Sequence, residues 1–561
     1  MRATTAALTL ACALAATVVE ARSPAHVLGP NRKLPEVPRP RRGDTANFRK
    51  AVDQSQNARR GVSDFIVPQN ANTTKFAVDG TAIPEVDFDV GESYAGLLPI
   101  SDKANETSEL YFWYFPSSNP EATDEITIWL NGGPGCSSLE GFLQENGPVL
   151  WQYGTYKPIQ NPWTWVNLTN MVWVEQPVGT GFSQGDPTAS SEEEVAEQFL
   201  GFFKNFVDTF ALHGRKVYIT GESYAGLYVP YIADAMLNTE DKEYYNLNSI
   251  MIYDPSVSYD VLLQQIPAVP FVDTWAGLFN LNDTFMEDIH ERADKCGYTD
   301  FLEKNLVFPP TGPLPTPPNV DNNDPSCDVW DAIYSAVSLT NPCFDMYQVA
   351  TTCPVLWDVL GFPGSFDYLP EGGSIYFNRT DVQKAINAPV QEWAECSNGV
   401  LDRDTSAPSG LSVLPGVIER AERTVIAHGA LDFILLVNGT LLTIQNMTWN
   451  GAQGFQERPA QPFYVPYHSD TSKSTLAASG VMGTTHTERG LTWVEVALSG
   501  HMIPQYQPSA AFRQLEFLLG RIESLSVESG FTTETGAYGN ADGAAKNATN
   551  KAARRRAGLE W

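Results

Sequence analysis

The sequence lacks a long apolar segment. Its apolar stretch from Ala6 to Val19 is shorter than the roughly 20 residues that a helix needs to cross a bilayer, and no later stretch is longer. We therefore expect no membrane anchor. The stretch follows Met1-Arg2 and leads into Val19-Glu20-Ala21, with small residues where a signal peptidase cuts. Residues 1–21 are predicted to be a secretory signal peptide.

Positive charge is also scarce. The chain has 36 Lys and Arg residues against 66 Asp and Glu residues, a formal net charge of −30. Such a charge disfavours binding to nucleic acid or to an anionic membrane surface. Protonation of carboxylates would relieve their mutual repulsion, so the sequence favours an acidic working compartment, either secreted or vacuolar.

Cysteine is infrequent and lacks the spacing of a zinc site. Cys12 lies in the predicted signal, and no C-x-x-C pair occurs among the six remaining cysteines: Cys136, Cys296, Cys327, Cys343, Cys353 and Cys396. An even number in an exported chain predicts three disulfides. Eight N-x-S/T sequons support a glycosylating secretory route: Asn72, Asn105, Asn167, Asn282, Asn378, Asn438, Asn446 and Asn547.

Composition divides the chain of 561 residues into six segments. After the signal, residues 22–62 are basic and proline-rich, which is typical of a propeptide or a solvated leader. Residues 63–254 and 373–525 are predicted to form one core. The stretch 255–372 holds four cysteines and a proline-rich run, so it is predicted to be a disulfide-rich cap insertion. Residues 526–561 are small and polar, as in a disordered tail.

Short apolar runs followed by turn residues predict strands within the core: Ile126–Leu130, Met171–Glu175, Val217–Thr220, Ile250–Tyr253, Thr424–Ala427 and Thr492–Leu498. Helical spacing occurs between some of them, at Glu192–Phe210 and Tyr228–Leu237. This alternation predicts an α/β fold with a mostly parallel central sheet and helices on both faces.

The predicted strand Val217–Thr220 runs into Gly221-Glu222-Ser223-Tyr224-Ala225-Gly226 and then into a helical segment. Small residues on either side of a serine allow the tight strand-to-helix turn that exposes a nucleophile. The same hexapeptide occurs at Gly91–Gly96, but extended chain follows it instead of a helix. Ser223 is therefore the candidate nucleophile, and Ser93 is not.

A serine nucleophile needs a base and an orienting carboxylate. In this type of fold they follow the serine on loops after later strands, the acid first. Thr424–Ala427 leads to Asp432, and Thr492–Leu498 leads to His501. We predict these two as triad acid and base. His428 and His486 remain rivals to His501.

Six motifs in one order across residues 85–520 resemble the serine carboxypeptidase family. They are Trp129–Leu139, Glu145–Pro148, Asn161–Trp165, Gln176–Ser183, Gly221–Gly226 and Gly500–Met502. The resemblance implies an α/β-hydrolase fold and removal of C-terminal residues from peptides at acidic pH. It implies oxyanion-hole amides from Gly133 and Tyr224, and neither metal nor organic cofactor. It also implies a site for the substrate's terminal carboxylate: Asn131, Gly132, Glu145 and Glu222.

The six cysteines suggest a pairing scheme. Cys136 lies in the glycine signature and Cys396 just after the insertion, so we expect a bridge between them. The other four would pair within the cap as Cys296 with Cys353 and Cys327 with Cys343. Four cysteines allow three pairings, so this part is the weaker hypothesis.

Three departures from the family pattern limit the resemblance: the insertion that usually shapes specificity is unfamiliar, and two turns differ. Gly429-Ala430-Leu431-Asp432 keeps the triad acid but lacks the spare acid of the usual Gly-Asp-x-Asp. Ile252-Tyr253-Asp254-Pro255 replaces a Gly-Asn-Gly-type turn. Two other functions stay open: an acyltransferase or esterase on the same scaffold, and a non-catalytic binding or protective protein. The sequence leaves oligomeric state and side-chain preference open.

Overall fold

The computed structural model describes residues 66–529, except 118, 322 and 467–477. The predicted signal peptide, the leader 22–62, the tail beyond residue 529 and the sequon at Asn547 lie outside the described residues. The segment boundaries at 254 and 372 remain predictions.

The fold is organised around one sheet of eleven strands. The strands of the described chain are β1 (Ala77–Val78), β2 (Ser93–Pro99), β3 (Glu109–Phe115), β4 (Glu125–Leu130), β5 (Val149–Leu150), β6 (Ile159–Gln160), β7 (Met171–Glu175), β8 (Lys216–Glu222), β9 (Leu247–Tyr253), β10 (Arg423–Gly429), β11 (Thr448–Trp449), β12 (Ala452–Gln453), β13 (Gln461–Val465), β14 (Gly480–Glu488) and β15 (Leu491–Val496). The large sheet has the order β1-β2-β3-β7-β4-β8-β9-β10-β15-β14-β13. β5 pairs with β6, and β11 pairs with β12.

The six central strands, from β7 to β15, are parallel, and the outer strands on both sides pair antiparallel. Each predicted strand corresponds to one of these six. β4, β7 and all but the first residue of β8 and β10 are buried, which explains their nearly continuous apolar sequences. The outer strands were not predicted.

Helices cover both faces of the sheet. They are α1 (Glu192–Phe210), α2 (Ala225–Thr239), α3 (Ile266–Thr274), α4 (Ala276–Phe279), α5 (Asp283–Lys295), α6 (Tyr298–Asn305), α7 (Val329–Thr340), α8 (Thr380–Ala385), α9 (Leu414–Arg420), α10 (Val437–Asn446), α11 (Ile503–Tyr506) and α12 (Pro508–Leu518). Apolar residues of α1, α2, α9 and α10 form one core with the sheet, and those of α8 and α12 form the other. This arrangement confirms the predicted fold class. None of the helices in the described residues is both long and apolar enough to span a membrane.

The helices α3 to α7 belong to the predicted insertion and form a third core with the segment after β10. Phe433, which follows Asp432 in that segment, packs against Phe271, Phe279 and Trp330. The insertion is therefore anchored directly beside a predicted triad residue.

The disulfides differ from the predicted scheme within the insertion. Cys136 bonds to Cys396 as expected, but Cys296 bonds to Cys327 and Cys343 to Cys353. The predicted pairs Cys296 with Cys353 and Cys327 with Cys343 are wrong because helix packing, and not nesting along the chain, places the thiols. Cys296 ends α5 beside the 3₁₀ turn Pro325–Cys327, with a Cα–Cα distance of 5.7 Å to Cys327.

The described sequons differ in accessibility. Asn72 and Asn105 are exposed. Asn378 instead donates from Nδ2 to the Trp393 carbonyl at 2.9 Å and accepts the Trp393 N–H at Oδ1. Because its side-chain amide is already bonded to the chain, Asn378 is a less suitable acceptor than Asn72 or Asn105.

Proteolysis without reduction should yield three cross-linked peptide pairs: Cys136 with Cys396, Cys296 with Cys327, and Cys343 with Cys353. Mass spectrometry of the digest checks this, and the same digest after reduction is the control. A peptide linking Cys136 to any cysteine of the insertion would contradict the arrangement.

Candidate active site

Ser223 occupies a sharp turn between β8 and α2. Its φ is +61°, in the left-handed region that non-glycine residues rarely adopt, as expected for a strained nucleophile turn. The Ser223 N–H donates to the Tyr253 carbonyl at 2.9 Å. A Cβ on Gly132 would lie 2.7 Å from the Ser223 Cβ, and one on Gly221 would lie 2.5 Å from the Leu130 oxygen. The close approach of these segments therefore requires glycine.

Ser93 has a different environment. It begins strand β2, is buried, and accepts a hydrogen bond from Trp113 Nε1 at 3.2 Å. The repeated hexapeptide thus forms a strand at one position and a turn at the other.

His501 and Asp432 are in contact, with 2.7 Å between His501 Nδ1 and Asp432 Oδ2. The other carboxylate oxygen of Asp432 accepts the backbone N–H groups of Ile434 and Leu435 at 2.8 and 3.2 Å. His501 Nε2 is buried and has no hydrogen-bond partner among the described residues. Burial lowers the pKa of His501, but the Asp432 charge and hydrogen bond outweigh it and leave that pKa above 6.5.

The two rival histidines lie elsewhere. His486 on β14 contacts Glu488 at 3.1 Å. His428 on β10 is buried, with Nδ1 2.9 Å from Asp254 Oδ1. The structure thus joins Asp432 to His501 and not to either rival.

Ser223 and His501 line the same cavity of about 80 Å³, together with Gly132 and Gly133. Gly133 has a φ of +110°. The backbone N–H groups of Gly133 and Tyr224 have no hydrogen-bond partner within the described part of the chain. Both predicted oxyanion amides are therefore free to bind a ligand.

Asn131 lies at the centre of a carboxyl cluster. Its Nδ2 donates to Glu222 at 2.9 Å and to Glu145 and Glu140, each at 3.3 Å. Trp129 Nε1 donates to Asn131 Oδ1 at 2.7 Å and thereby sets the amide orientation. The structure brings the predicted residues Asn131, Glu145 and Glu222 together and adds Glu140, which the sequence analysis missed.

Burial and mutual repulsion hold protons on this cluster. Burial raises the pKa of Glu145 to about 7. Burial, followed by the neighbouring carboxylates, raises the pKa of Glu140 and Glu222 well above the usual range. At acidic pH these groups are therefore hydrogen-bond donors.

Other residues of the cavity wall were also missed. They are Gln144, Tyr347, Glu395 and Gln505. Burial raises the pKa of Glu395 well above its usual range, with a further contribution from Glu140. Glu140 and Gln144 adjoin recognised motifs and Glu395 precedes Cys396, which were usable signals. Tyr347 lies in the insertion, where no sequence motif indicated a site residue.

Two of the departures from the family pattern, the turn at Asp254 and the loop at Ala430, lie close together. Asp254 Oδ1 accepts the N–H of Gly429 at 2.7 Å, next to the Ala430 that replaces the spare acid. Oxygen and nitrogen atoms of Asp254, Asp432 and His501 lie within 4.8 Å of one another. Ligand atoms of Glu140, Glu145 and Glu222 do so as well. Both sets satisfy metal spacing, but hydrogen bonds already join their members and the raised carboxyl pKa values favour proton sharing.

Several proteins with similar sequences are named carboxypeptidases. The family model described as serine carboxypeptidase matches residues 84–520. A probable serine carboxypeptidase of Arthroderma benhamiae is 64% identical over 470 residues, covering 82% of this chain and 88% of the relative. Serine-type carboxypeptidase F of Aspergillus niger is 48% identical over 475 residues, covering 81% and 88%.

A solved structure shares the fold. The prohormone-processing carboxypeptidase from Saccharomyces cerevisiae superimposes with a TM-score of 0.63 at 23% identity, covering 80% of this chain and 96% of that one. The family match over most of the sequence and the high identity to named relatives agree with the site geometry. The chain belongs to the serine carboxypeptidase family and is a serine-type carboxypeptidase.

Proposed function

We propose that this enzyme releases C-terminal residues through an acyl-enzyme on Ser223. His501 Nε2 takes the serine proton and then gives it to the leaving amine, while Asp432 holds the imidazole by Nδ1. A water molecule then attacks the acyl-enzyme, again with His501 as base and then acid, and frees the acyl group from Ser223. The observation that carries this proposal is the shared cavity, which contains Ser223 and His501 beside the carboxyl cluster.

The N–H groups of Gly133 and Tyr224 would stabilise the oxyanion of the tetrahedral intermediate. They are backbone amides in rigid turns, so they need no reorganisation as the charge develops. One such donor contributes on the order of 3 kcal/mol to lowering the barrier.

The carboxyl cluster would bind the terminal carboxylate of the substrate. Asn131 and the Gly132 backbone can donate at any pH, whereas Glu145 and Glu222 donate only when one proton is shared between them. Because Glu222 is the last residue of β8 and immediately precedes Ser223, the bound carboxylate is placed next to the nucleophile. This arrangement selects the last peptide bond of a chain.

We further propose that the enzyme works in an acidic secretory compartment, secreted or vacuolar, and is glycosylated at exposed sequons such as Asn72 and Asn105. The predicted signal peptide, the disulfides and the protonated site support this location. Comparing intact mass before and after enzymatic deglycosylation tests the glycosylation.

Ser223→Ala should lower kcat by roughly a millionfold without loss of folding, because the nucleophile is removed and no packing changes. Ser93→Ala is the matched control, with the same change in the same hexapeptide, and should keep kcat. Purified proteins are incubated with N-blocked dipeptides and esters at several pH values, and products are identified by mass. Hydrolysis of esters alone would indicate an esterase. Inactivation by Ser93→Ala would contradict the assignment.

For peptides with a free C-terminus, kcat/KM should fall as pH rises through about 7, mainly through KM. Glu145, with a pKa of about 7, then ionises beside the substrate carboxylate. Amide-blocked and ester substrates do not use this carboxyl cluster and should stay active further into the neutral range. Initial rates across pH 4–9 for both substrate types measure the difference, and identical profiles would exclude the protonated clamp.

Glu145→Gln should weaken binding of free-acid peptides in acid but flatten the decline near neutrality, because an amide donates at every pH. Glu303→Gln is the same change at an exposed position of α6. It should leave the pH profile of free-acid peptides unchanged, both in acid and near neutrality. A Glu145→Gln profile parallel to that of the wild type would show that Glu145 does not titrate against substrate.

A further inference from the structure

A row of four buried titratable side chains leads away from the nucleophile: His501, Asp432, Asp254 and His428. All four are at most 2% exposed. The proposed function uses only His501 and Asp432. Asp254 follows the end of β9 and His428 lies near the end of β10, and 2.9 Å separates Asp254 Oδ1 from His428 Nδ1. The role of this pair therefore needs a separate explanation.

His428 fits the neutral imidazole with its proton on Nδ1. That nitrogen faces Asp254 Oδ1, while Nε2 is buried and has no hydrogen-bond partner among the described residues. A charged imidazolium would leave an unsatisfied N–H donor in the interior, which is costly. Burial also lowers the pKa of His428. His428 is therefore a neutral donor to Asp254.

Asp254 faces mainly acidic groups. Besides the two histidines, the titratable groups around it are Asp432 after β10, Glu222 at the end of β8 and Tyr253 on β9. Glu495 on β15 acts on His428. Among the described residues, no Lys or Arg is among the main contributors to the charge environment of Asp254. Two carboxylates this close in a buried site cannot both stay ionised.

The hydrogen bonds decide which carboxyl group holds the proton. Asp432 accepts two backbone N–H groups and His501 Nδ1, so its charge is well stabilised. Asp254 accepts Gly429 N–H and His428 Nδ1–H at Oδ1, but its buried Oδ2 receives no hydrogen bond from a donor in the described chain. A proton on Oδ2 turns this unsatisfied oxygen into a donor. Burial and then the Asp432 charge raise the pKa of Asp254 well above its usual range.

We propose that Asp254 is a positioning residue for the triad acid: its carboxyl O–H donates to the Asp432 carboxylate, while Gly429 and His428 hold its other oxygen. This inference rests on the proposed role of Asp432. Because the donor is neutral, it orients Asp432 without adding a negative charge beside His501.

Two substitutions at Asp254 separate positioning from charge. Asp254→Asn keeps an N–H donor and should retain kcat within about threefold, with the acid limb of an ester pH profile unmoved. Asp254→Leu has similar volume but no donor and should lower kcat roughly 10- to 100-fold, the effect of losing one hydrogen bond to a charged group. KM should not change, since Asp254 does not touch substrate.

Two results would contradict the positioning role of Asp254. A downward shift of the acid limb by about one pH unit in Asp254→Asn would show that Asp254 carries a negative charge that raises the His501 pKa. Equal kcat values for the Asn and Leu variants would show that no hydrogen bond to Asp432 matters. Either result overturns the proposal. If Asp254→Leu does not fold, His428→Leu against His428→Asn tests the same chain, because the Asn amide replaces the Nδ1 donor.

Thermal unfolding in a Ser223→Ala background gives a readout that does not depend on activity. A carboxyl group with a raised folded-state pKa contributes stability that is complete below its unfolded value of about 4 and is lost as pH rises. Asp254→Asn removes that loss, so its Tm relative to the parent should increase from pH 4 to 7. The exposed control Asp186→Asn should show no such trend. A relative Tm that decreases with pH would mean that Asp254 is ionised.

These measurements separate the two levels of inference. If Ser223→Ala remains active, the proposed mechanism fails, but the unfolding series still reports whether Asp254 holds a proton. If Ser223→Ala is inactive and the Tm trend is reversed, the mechanism stands and the positioning role of Asp254 fails.

Discussion

The candidate active site must stabilise many carboxyl groups without a Lys or Arg side chain in its described wall. Glu140, Glu222 and Glu395 line the catalytic cavity, Glu145 adjoins it, and its wall contains no Lys or Arg among the described residues. Ionising all of them in a buried space is prohibitive, because burial penalises each charge and every neighbour adds repulsion. Protons therefore take the place of counter-ions. The proposed substrate binding, triad geometry and acidic working range all follow from this constraint.

The parallel sheet explains how these groups meet. β4, β8, β9, β10 and β15 point their carboxyl ends to one edge, where Asn131, Ser223, Asp254, Asp432 and His501 follow them. The insertion then fixes the last two loops. The Tyr347 carbonyl accepts the His501 N–H at 2.8 Å, and the Met346 carbonyl accepts the Phe433 N–H at 2.9 Å. The cap is thus part of the support for the triad and not only a cover for the cleft.

Sequence patterns predicted what depends on local geometry. Central strands such as Met171–Glu175 were recognisable because burial on both faces imposes apolar runs, and Ser223 because a nucleophile turn needs small neighbours. The outer strands β2 and β3 lack a following helix, so they gave no alternating strand and helix signal. The cap disulfides depend on how helices pack, which spacing does not encode. The contact between Asp254 and His428 joins segments that are distant in the sequence. Its only sequence signal was that Asp254 stands in a turn where the family usually has a Gly-Asn-Gly type of sequence.

A protonated Asp254 also bears on how a serine hydrolase can work in acid. The base must be neutral to accept the serine proton. In His501, burial favours the neutral form, while Asp432 opposes it. A second ionised carboxylate within 4.8 Å would hold the imidazole in its charged form and confine activity to higher pH. A neutral carboxyl at that position, as we propose for Asp254, would give Asp432 the same hydrogen bond without this electrostatic cost. The same principle would govern the proposed carboxylate-binding site, where a shared proton would let Glu145 and Glu222 bind an anion. At Asp254 and at the carboxylate-binding site alike, low pH would protonate the carboxyl groups and so let them donate the hydrogen bonds that the proposed roles require.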